Sequence, residues 1–384
     1  MTDKIVVFYG SKRDFEEYLE GEISRNENTI PFMELIQHYN ARLRPNESGV
    51  RERDLAQNIE VDNCVVRADD YASVLPHVLS NFVMIVTLNH EIGALYVHNP
   101  PRRVEASLRA FYGDEIIYEG SKYSVISREK LVEVYSNLKQ DIEGQEECKK
   151  QLISGLYRLD SKTSNKPVVL MLYGPSGVGK TESAKSISKS MGGQLLRVQF
   201  SMMQTTEAYN YVFGSEHSNS SFAKDMMARE SNVILIDEFD KVNPIFYNAF
   251  YELFDEGKYI DTNYDVDLGQ AIFLCTCNFS SEKEIKQALG PAMFSRIGCC
   301  IRYDELSVEQ KCRIIQNWYN EIVTSLKTDE QRIIRETDIL EWFLKNAERY
   351  DNIRILKTKL ENAIYAKLAE VFIFTNGEEN EKYV

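Results

Sequence analysis

The sequence predicts an α/β protein: a largely parallel sheet covered by helices, a helical segment after it, and a separate mixed α/β domain before it. Three observations predict this. Apolar runs of strand length at 168–173, 194–200, 233–236 and 271–276 alternate with helical patterns. A glycine-rich loop lies between the first of these runs and the first helix. After about Glu305 the apolar spacing stays helical as far as Ala369.

The elements follow in chain order, within boundaries set at 1–129, 130–304, 305–372 and 373–384. Residues 5–9 read as a strand, and 31–43, opened by Pro31, as a helix. Two β-rich runs, 82–88 and 92–97, read as a hairpin. Pro101 opens an amphipathic helix through Tyr112. The runs 116–118 and 123–126 flank Glu119-Gly-Ser-Lys122 as a second hairpin. This first domain carries no catalytic motif and is read as the part that recognises a substrate or partner. His90 and His98 lie beside apolar strands and read as structural. A helical stretch from Lys130 to Leu159 is interrupted at Gly144. A polar linker spans 161–166, and the acidic tail 377–384 reads as loosely ordered. No internal repeat is legible.

The 384-residue chain carries 45 basic and 59 acidic side chains, a net charge of -14. Residues 1–130 hold 15 basic and 21 acidic groups and the rest 30 and 38, so both parts are acidic and neither resembles a nucleic-acid-binding module. The seven cysteines lack zinc or redox spacing, and an odd count without a framework fits reduced thiols in a cytoplasm. No apolar run approaches the roughly 18 residues needed to span a bilayer, and the N-terminus does not read as a signal peptide.

The chemistry concentrates in one place. The strand 168–173 runs directly into Gly174-Pro175-Ser176-Gly177-Val178-Gly179-Lys180-Thr181, and a helix pattern follows. This is the strand–loop–helix context of a P-loop. The glycines let backbone N–H groups curl around phosphate oxygens, and the helix N-terminus adds a favourable field for anions. Lys180 supplies a cation to the β- and γ-phosphates of ATP, and Thr181 a hydroxyl to Mg2+. The strand 233–236 ends in Asp237-Glu238, 56 residues after Thr181. A carboxylate at that strand end faces the crevice beside the loop. Asp237 is the expected magnesium ligand, and Glu238 the group that orients and polarises the attacking water. Asn278, just past the strand 271–276, has an amide able to hold that water. Taken alone it reads equally well as a turn asparagine, as Arg296 alone reads as a surface cation.

With these residues in hand, the chain resembles the Clp branch of AAA+ proteins over about Lys130 to Ala369. Ile142-Glu-Gly144-Gln145 is similar to the turn that opens the family's ATPase module. GPSGVGKT matches its Walker A motif, and LIDEFDKVNP (235–244) its Walker B motif. Leu253-Phe-Asp255-Glu-Gly257-Lys and Phe294-Ser-Arg296-Ile297 resemble two further boxes. The resemblance implies a P-loop NTPase sheet with a helical lid, and a homo-oligomeric, hexameric ring that hydrolyses ATP. It implies that Arg296 is an arginine finger reaching a neighbour's ATP. It also implies that Arg354, in Asn352-Ile-Arg354, is the lid's sensor arginine, although the family's glycine and alanine are missing here.

The resemblance further implies that the stretch 208–214 is the pore loop that grips a polypeptide, with Tyr211-Val212 aligning best and Phe213 beside them. The other reading of these aromatics is core packing. The tripeptide with which relatives dock a barrel protease is absent from 279–294, which speaks against that partner. Two functions follow as expectations: a protein remodeller driven by ATP, or an ATP-regulated scaffold that switches an effector without threading. A nucleic-acid-associated ATPase fits the acidic chain less well.

Overall fold

The computed structural model describes residues 2–43, 59–88, 90–160, 165–203 and 205–374. The tail 377–384 and most of the linker 161–166 lie outside the described residues. Among the described residues two five-stranded sheets, each parallel throughout, organise the fold.

The first sheet contains β1 (Lys4–Tyr9), β2 (Thr29–Pro31), β3 (Glu60–Val66), β4 (Glu91–His98) and β5 (Ile116–Gly120), in the order β2-β3-β4-β1-β5. It corrects both expected hairpins. Residues 82–88 are helical, not a strand, and Met84–Leu88 forms their last turn. The run is apolar, but its burial has helical spacing. Phe82, Val83, Ile85 and Val86 are buried beside Phe32 and Leu35, whereas Met84 and Leu88 are exposed. Composition suggested a strand; instead the helix Pro76–Ser80 is capped at Asn81 and a second helical turn follows it directly. The second hairpin fails because β5 pairs in parallel with β1 and the chain beyond it stays irregular to Ser127. The helix Arg102–Tyr112 does begin behind Pro101.

The helices Arg128–Asp141 and Glu146–Leu156 lead into the second sheet. Between them Gly144 and Gln145 take left-handed backbone angles, φ 67° and 56°, which break the helix where the sequence placed the interruption. The second sheet contains β6 (Val168–Tyr173), β7 (Leu196–Val198), β8 (Val233–Ile236), β11 (Ile272–Cys277) and β12 (Cys299–Arg302), in the order β12-β6-β11-β8-β7. Every residue of β6, β8 and β11 is buried, as apolar strands covered on both faces must be. One face packs against the helices Arg128–Asp141, Glu146–Leu156 and Lys180–Met191. The other carries an aromatic core including Phe222, Phe239, Phe250 and Phe273. A short antiparallel ribbon, β9 (Lys258–Ile260) with β10 (Asp265–Asp267), sits beside it.

Four helices, Val308–Ser325, Thr328–Arg335, Ile339–Lys345 and Ile353–Ala369, close a separate small core around Ile315, Leu356, Leu360 and Ile364. Among the described residues no helix is long and apolar enough to cross a membrane.

Candidate functional site

The phosphate-loop residues occupy the C-terminal end of β6. Gly174 has φ 130°, and a Cβ there would lie 2.2 Å from the Tyr303 carbonyl oxygen, so only glycine lets the loop leave the strand this close to the neighbouring chain. Six residues later the helix Lys180–Met191 begins. Lys180 is buried, and its ammonium donates to the carbonyls of Gly174 (2.6 Å) and Pro175 (2.7 Å) and to Asn278 Oδ1 (3.2 Å). Burial lowers its pKa, opposed by the nearby Cys277, Asp240 and Asp237.

The end of β8 faces this loop. Asp237 is 6% exposed, and its Oδ1 accepts a hydrogen bond from the Thr276 hydroxyl. Its Oδ2 accepts from the Arg197 guanidinium, at 3.0 Å from Nε. The Glu238 backbone is left-handed, φ 55°, and its N–H donates to Thr276 Oγ1 at 3.0 Å. That turn aims the Glu238 carboxylate into the cleft, where Gln199 Nε2 and Lys241 Nζ each stand 3.0 Å from Oε2.

Loop, strand ends and lid enclose a cleft of about 940 Å3. Ser176 to Thr181, Asp237, Glu238, Asn278 and Arg354 all line it. Arg354 enters from the lid, at the start of the helix Ile353–Ala369, where Asn352 caps its N–H at 2.9 Å. Gln145 ties the helix break to the lid connection: its Nε2 donates to the Asp304 carbonyl at 2.7 Å. The donor set suits a hard cation. A hydroxyl from Thr181 and a carboxylate from Asp237 fit Mg2+ sharing its remaining positions with phosphate oxygens and water.

Residues 165–327 match the family model described as an AAA domain (Cdc48 subfamily). The chaperone protein ClpB of Malacoplasma penetrans is 24% identical over 243 residues, covering 57% of this chain and 34% of its own length. The ClpC ATP-binding subunit of the Clp protease from Staphylococcus aureus is 23% identical over 305 residues, covering 68% and 37%. This region is thus an AAA domain similar to those of Clp proteins. A ClpA homolog of Fuscovulum blasticum is 30% identical over 180 residues, 44% of this chain and 23% of its own. The chain thus spans well under half the length of these curated relatives. Two solved structures share the fold. The Saccharomyces cerevisiae Hsp104–ADP complex has a TM-score of 0.51 at 19% identity, covering 65% of this chain and 49% of its own. A closed-state reconstruction of Hsp104 with ATPγS and FITC casein has a TM-score of 0.54 at 16% identity, covering 94% and 64%.

Two expected site groups of the AAA+ domain lie apart from the cleft. Arg296 is not among the residues that line it. The guanidinium pairs with Asp255 (2.8 Å) and packs over the Tyr251 ring, 4.3 Å from its centroid. The aromatic segment needs correction. Tyr211 and Val212 are not on a loop: they belong to the helix Thr205–Phe213 and are buried in the aromatic core. The Tyr211 hydroxyl bonds the Asp225 carboxylate, and burial pushes its pKa well up. Phe213 is half-buried against Phe246. Tyr209, on the opposite side of the helix, is 49% exposed. The sequence resemblance pointed to this segment without its helical phase, which turns Tyr211 and Val212 inward.

Tyr211→Ala should therefore destabilise the fold by about 3–5 kcal/mol, the range for removing a buried ring. Thermal or urea unfolding would check this. A loss below about 1 kcal/mol would mean that the ring is not a core residue.

Sequence reasoning also missed Arg197, Gln199 and Thr276. Thr276 had a signal, being a polar residue at the end of an otherwise apolar strand. Arg197 and Gln199 lie on β7 or directly after it, and only the β7–β8 register brings them to Asp237 and Glu238.

Proposed function

We propose that this chain is the subunit of an ATP-hydrolysing ring that remodels a polypeptide. The observation that carries the reading is the convergence of Lys180, Thr181, Asp237, Glu238, Asn278 and Arg354 on one cleft between sheet and lid. ATP would lie there with its β- and γ-phosphates on the loop N–H groups and Lys180. Lys180 would exchange its two carbonyl acceptors for phosphate oxygens. Thr181 and Asp237 would hold magnesium, and Arg197 would release Asp237 to do so. Magnesium, when bound, neutralises charge on the phosphates. Glu238 would orient and polarise the attacking water, steadied by Asn278. Arg354 would report the γ-phosphate to the lid, so that hydrolysis moves the lid against the sheet.

Arg296 stands outside its own chain's cleft, which suits a finger supplied to the neighbouring subunit of a hexamer. There it would stabilise charge developing on the γ-phosphate. The polypeptide grip falls to Tyr209, the exposed ring of the aromatic helix, with the Phe213 ring packed against it in a tilted arrangement, centroids 4.7 Å apart. The first domain would choose the substrate or effector, and the compartment is the cytoplasm.

Tyr209→Ala tests the remodelling half of this reading. ATP turnover should stay within about twofold, while unfolding of a labelled, loosely structured polypeptide falls about tenfold, the worth of one aromatic contact of roughly 1.4 kcal/mol. Undiminished unfolding would remove the grip from Tyr209. If wild-type rings hydrolyse ATP without altering any polypeptide, the alternative of an ATP-regulated scaffold takes its place.

A further inference from the structure

The two sheets have the same topology. Numbered from the first strand of each domain, both run 5-1-4-3-2: β5-β1-β4-β3-β2 and β12-β6-β11-β8-β7. The match extends to single residues. Tyr9 pairs with Gly120 as Tyr173 pairs with Arg302. The next N–H returns the same bond in each: Ser121 N to Tyr9 O at 2.9 Å, and Tyr303 N to Tyr173 O at 2.8 Å. Gly10 and Gly174 follow those tyrosines, both with left-handed φ, 147° and 130°. A Cβ on either would strike the same neighbour: Ser121 in one case, Tyr303 in the other.

Extending the register locates the equivalents of the catalytic groups. Val7 pairs with Val97 and Val66 with Val97, as Met171 pairs with Cys275 and Ile236 with Cys275. Val66 therefore stands for Ile236, and Arg67 occupies the place of Asp237. An arginine replaces the metal carboxylate, and Ala68 replaces Glu238. The Arg67 guanidinium pairs at 2.7 Å with Glu16, on the helix that follows β1.

The phosphate loop is gone as well. Six residues separate β6 from its helix, but only Gly10 and Ser11 separate β1 from the helix Lys12–Glu22. The space at the strand ends is filled by the chain itself. Asn99 Oδ1 accepts from Gly10 N–H at 2.9 Å, and Asn99 Nδ2 donates to Gly10 O at 2.8 Å. The His98 Nε2 also reaches Gly10 O, at 2.9 Å, with its ring stacked on Phe15. Both side chains are buried. The two N–H groups between strand and helix are already taken, Gly10 N–H by Asn99 Oδ1 and Ser11 N–H by Ser121 Oγ at 2.9 Å.

The same edge of this sheet is turned toward the AAA+ domain. Just after β4, Arg102 N–H donates to the Asn263 carbonyl at 2.7 Å. The segment that follows β3 brings the Val74 carbonyl to His217 Nε2, at 2.8 Å. Asn263 in turn donates to Ser215 O at 2.9 Å, and Thr262 N–H to Phe213 O at 3.1 Å. All these bonds land immediately behind the aromatic helix Thr205–Phe213.

We propose that residues 4–121 are a second copy of the AAA+ core that has exchanged its nucleotide site for a docking edge: it takes no nucleotide and braces the segment behind the aromatic helix. The proposal rests on the reading of Lys180 as the nucleotide-binding lysine of the other copy.

Two measurements on the full chain test it. The first is titration with fluorescent ADP and Mg2+. One site per chain is expected, and Lys180→Ala, shown folded by circular dichroism, should remove all saturable binding up to at least about 100-fold higher concentration. Saturable binding that survives in Lys180→Ala would overturn the nucleotide-free copy. A wild-type chain that binds nothing would instead sink the reading of the AAA+ cleft.

The second measurement is amide exchange in the double variant Arg102→Pro, His217→Ala. Arg102 is the first residue of its helix and follows Pro101 at ψ 149°, so proline deletes the N–H donor without breaking the helix. Exchange across 213–221 should accelerate at least about tenfold, with ADP affinity unchanged. Unaltered exchange there would overturn the brace.

Discussion

The Glu238→Gln chain should bind ATP as the wild type does and hydrolyse it at least about 100-fold more slowly, the smaller end of what a positioned general base contributes. The substitution isolates the chemistry. Glutamine keeps the volume and the reach, and its amide oxygen can still accept from Gln199 Nε2. The left-handed turn at φ 55° is no harder for glutamine than for glutamate. Lys180, the loop and Arg354 are untouched, so affinity should hold. What goes is the negative charge that polarises water. Phosphate release measures the loss, and nucleotide titration measures the retained binding. Oligomers should also persist in ATP, visible by size-exclusion chromatography. Unchanged turnover would remove the assigned role from Glu238.

Arg296→Ala should cost about 1,000-fold in turnover, the lower range for loss of an arginine finger. The Arg296 side chain is 24% exposed in its own subunit, paired with Asp255 and packed on Tyr251. Its partners there are themselves partly exposed, so the ion pair contributes only about 0–1 kcal/mol to folding. The variant should therefore fold normally, and the loss should be catalytic. With the proposed finger serving the next subunit, Arg296→Ala and Lys180→Ala would damage opposite halves of one interfacial site. Mixed rings of the two variants should regain part of the activity that each lacks alone. Well-formed mixed rings with no recovery would contradict a finger acting between subunits.

Much of the AAA+ domain was legible in the sequence because its chemistry is local. A phosphate loop needs glycines, lysine and threonine at fixed spacing between a strand and a helix, and Gly174 to Thr181 supplies them in eight consecutive residues. Asp237 and Glu238 were legible for the same reason, at the end of a fully apolar strand. The parts that were not legible depend on register or phase. Arg197 reaches Asp237 only through the pairing of β7 with β8. Tyr211 and Tyr209 differ by two residues, which on a helix turns one ring into the core and the other to solvent.

The first domain was misread as hairpins because a buried helix and a buried strand can share a composition, as Phe82 to Leu88 does. Its kinship with the second sheet left almost no trace in sequence. The shared mark is a tyrosine–glycine step after the first strand, at Tyr9-Gly10 and Tyr173-Gly174. Once the phosphate loop and the carboxylates are gone, no short motif remains to be recognised, and only strand order and register show the correspondence.

The central claim is that one cleft, between the loop after β6 and the lid, binds and splits Mg-ATP. Phosphate release by the purified full chain at saturating ATP, with and without Mg2+, tests it most directly. Steady, magnesium-dependent release that disappears in Lys180→Ala should be seen. Release that is absent at every protein concentration high enough for subunits to meet, or that survives in Lys180→Ala, would contradict it.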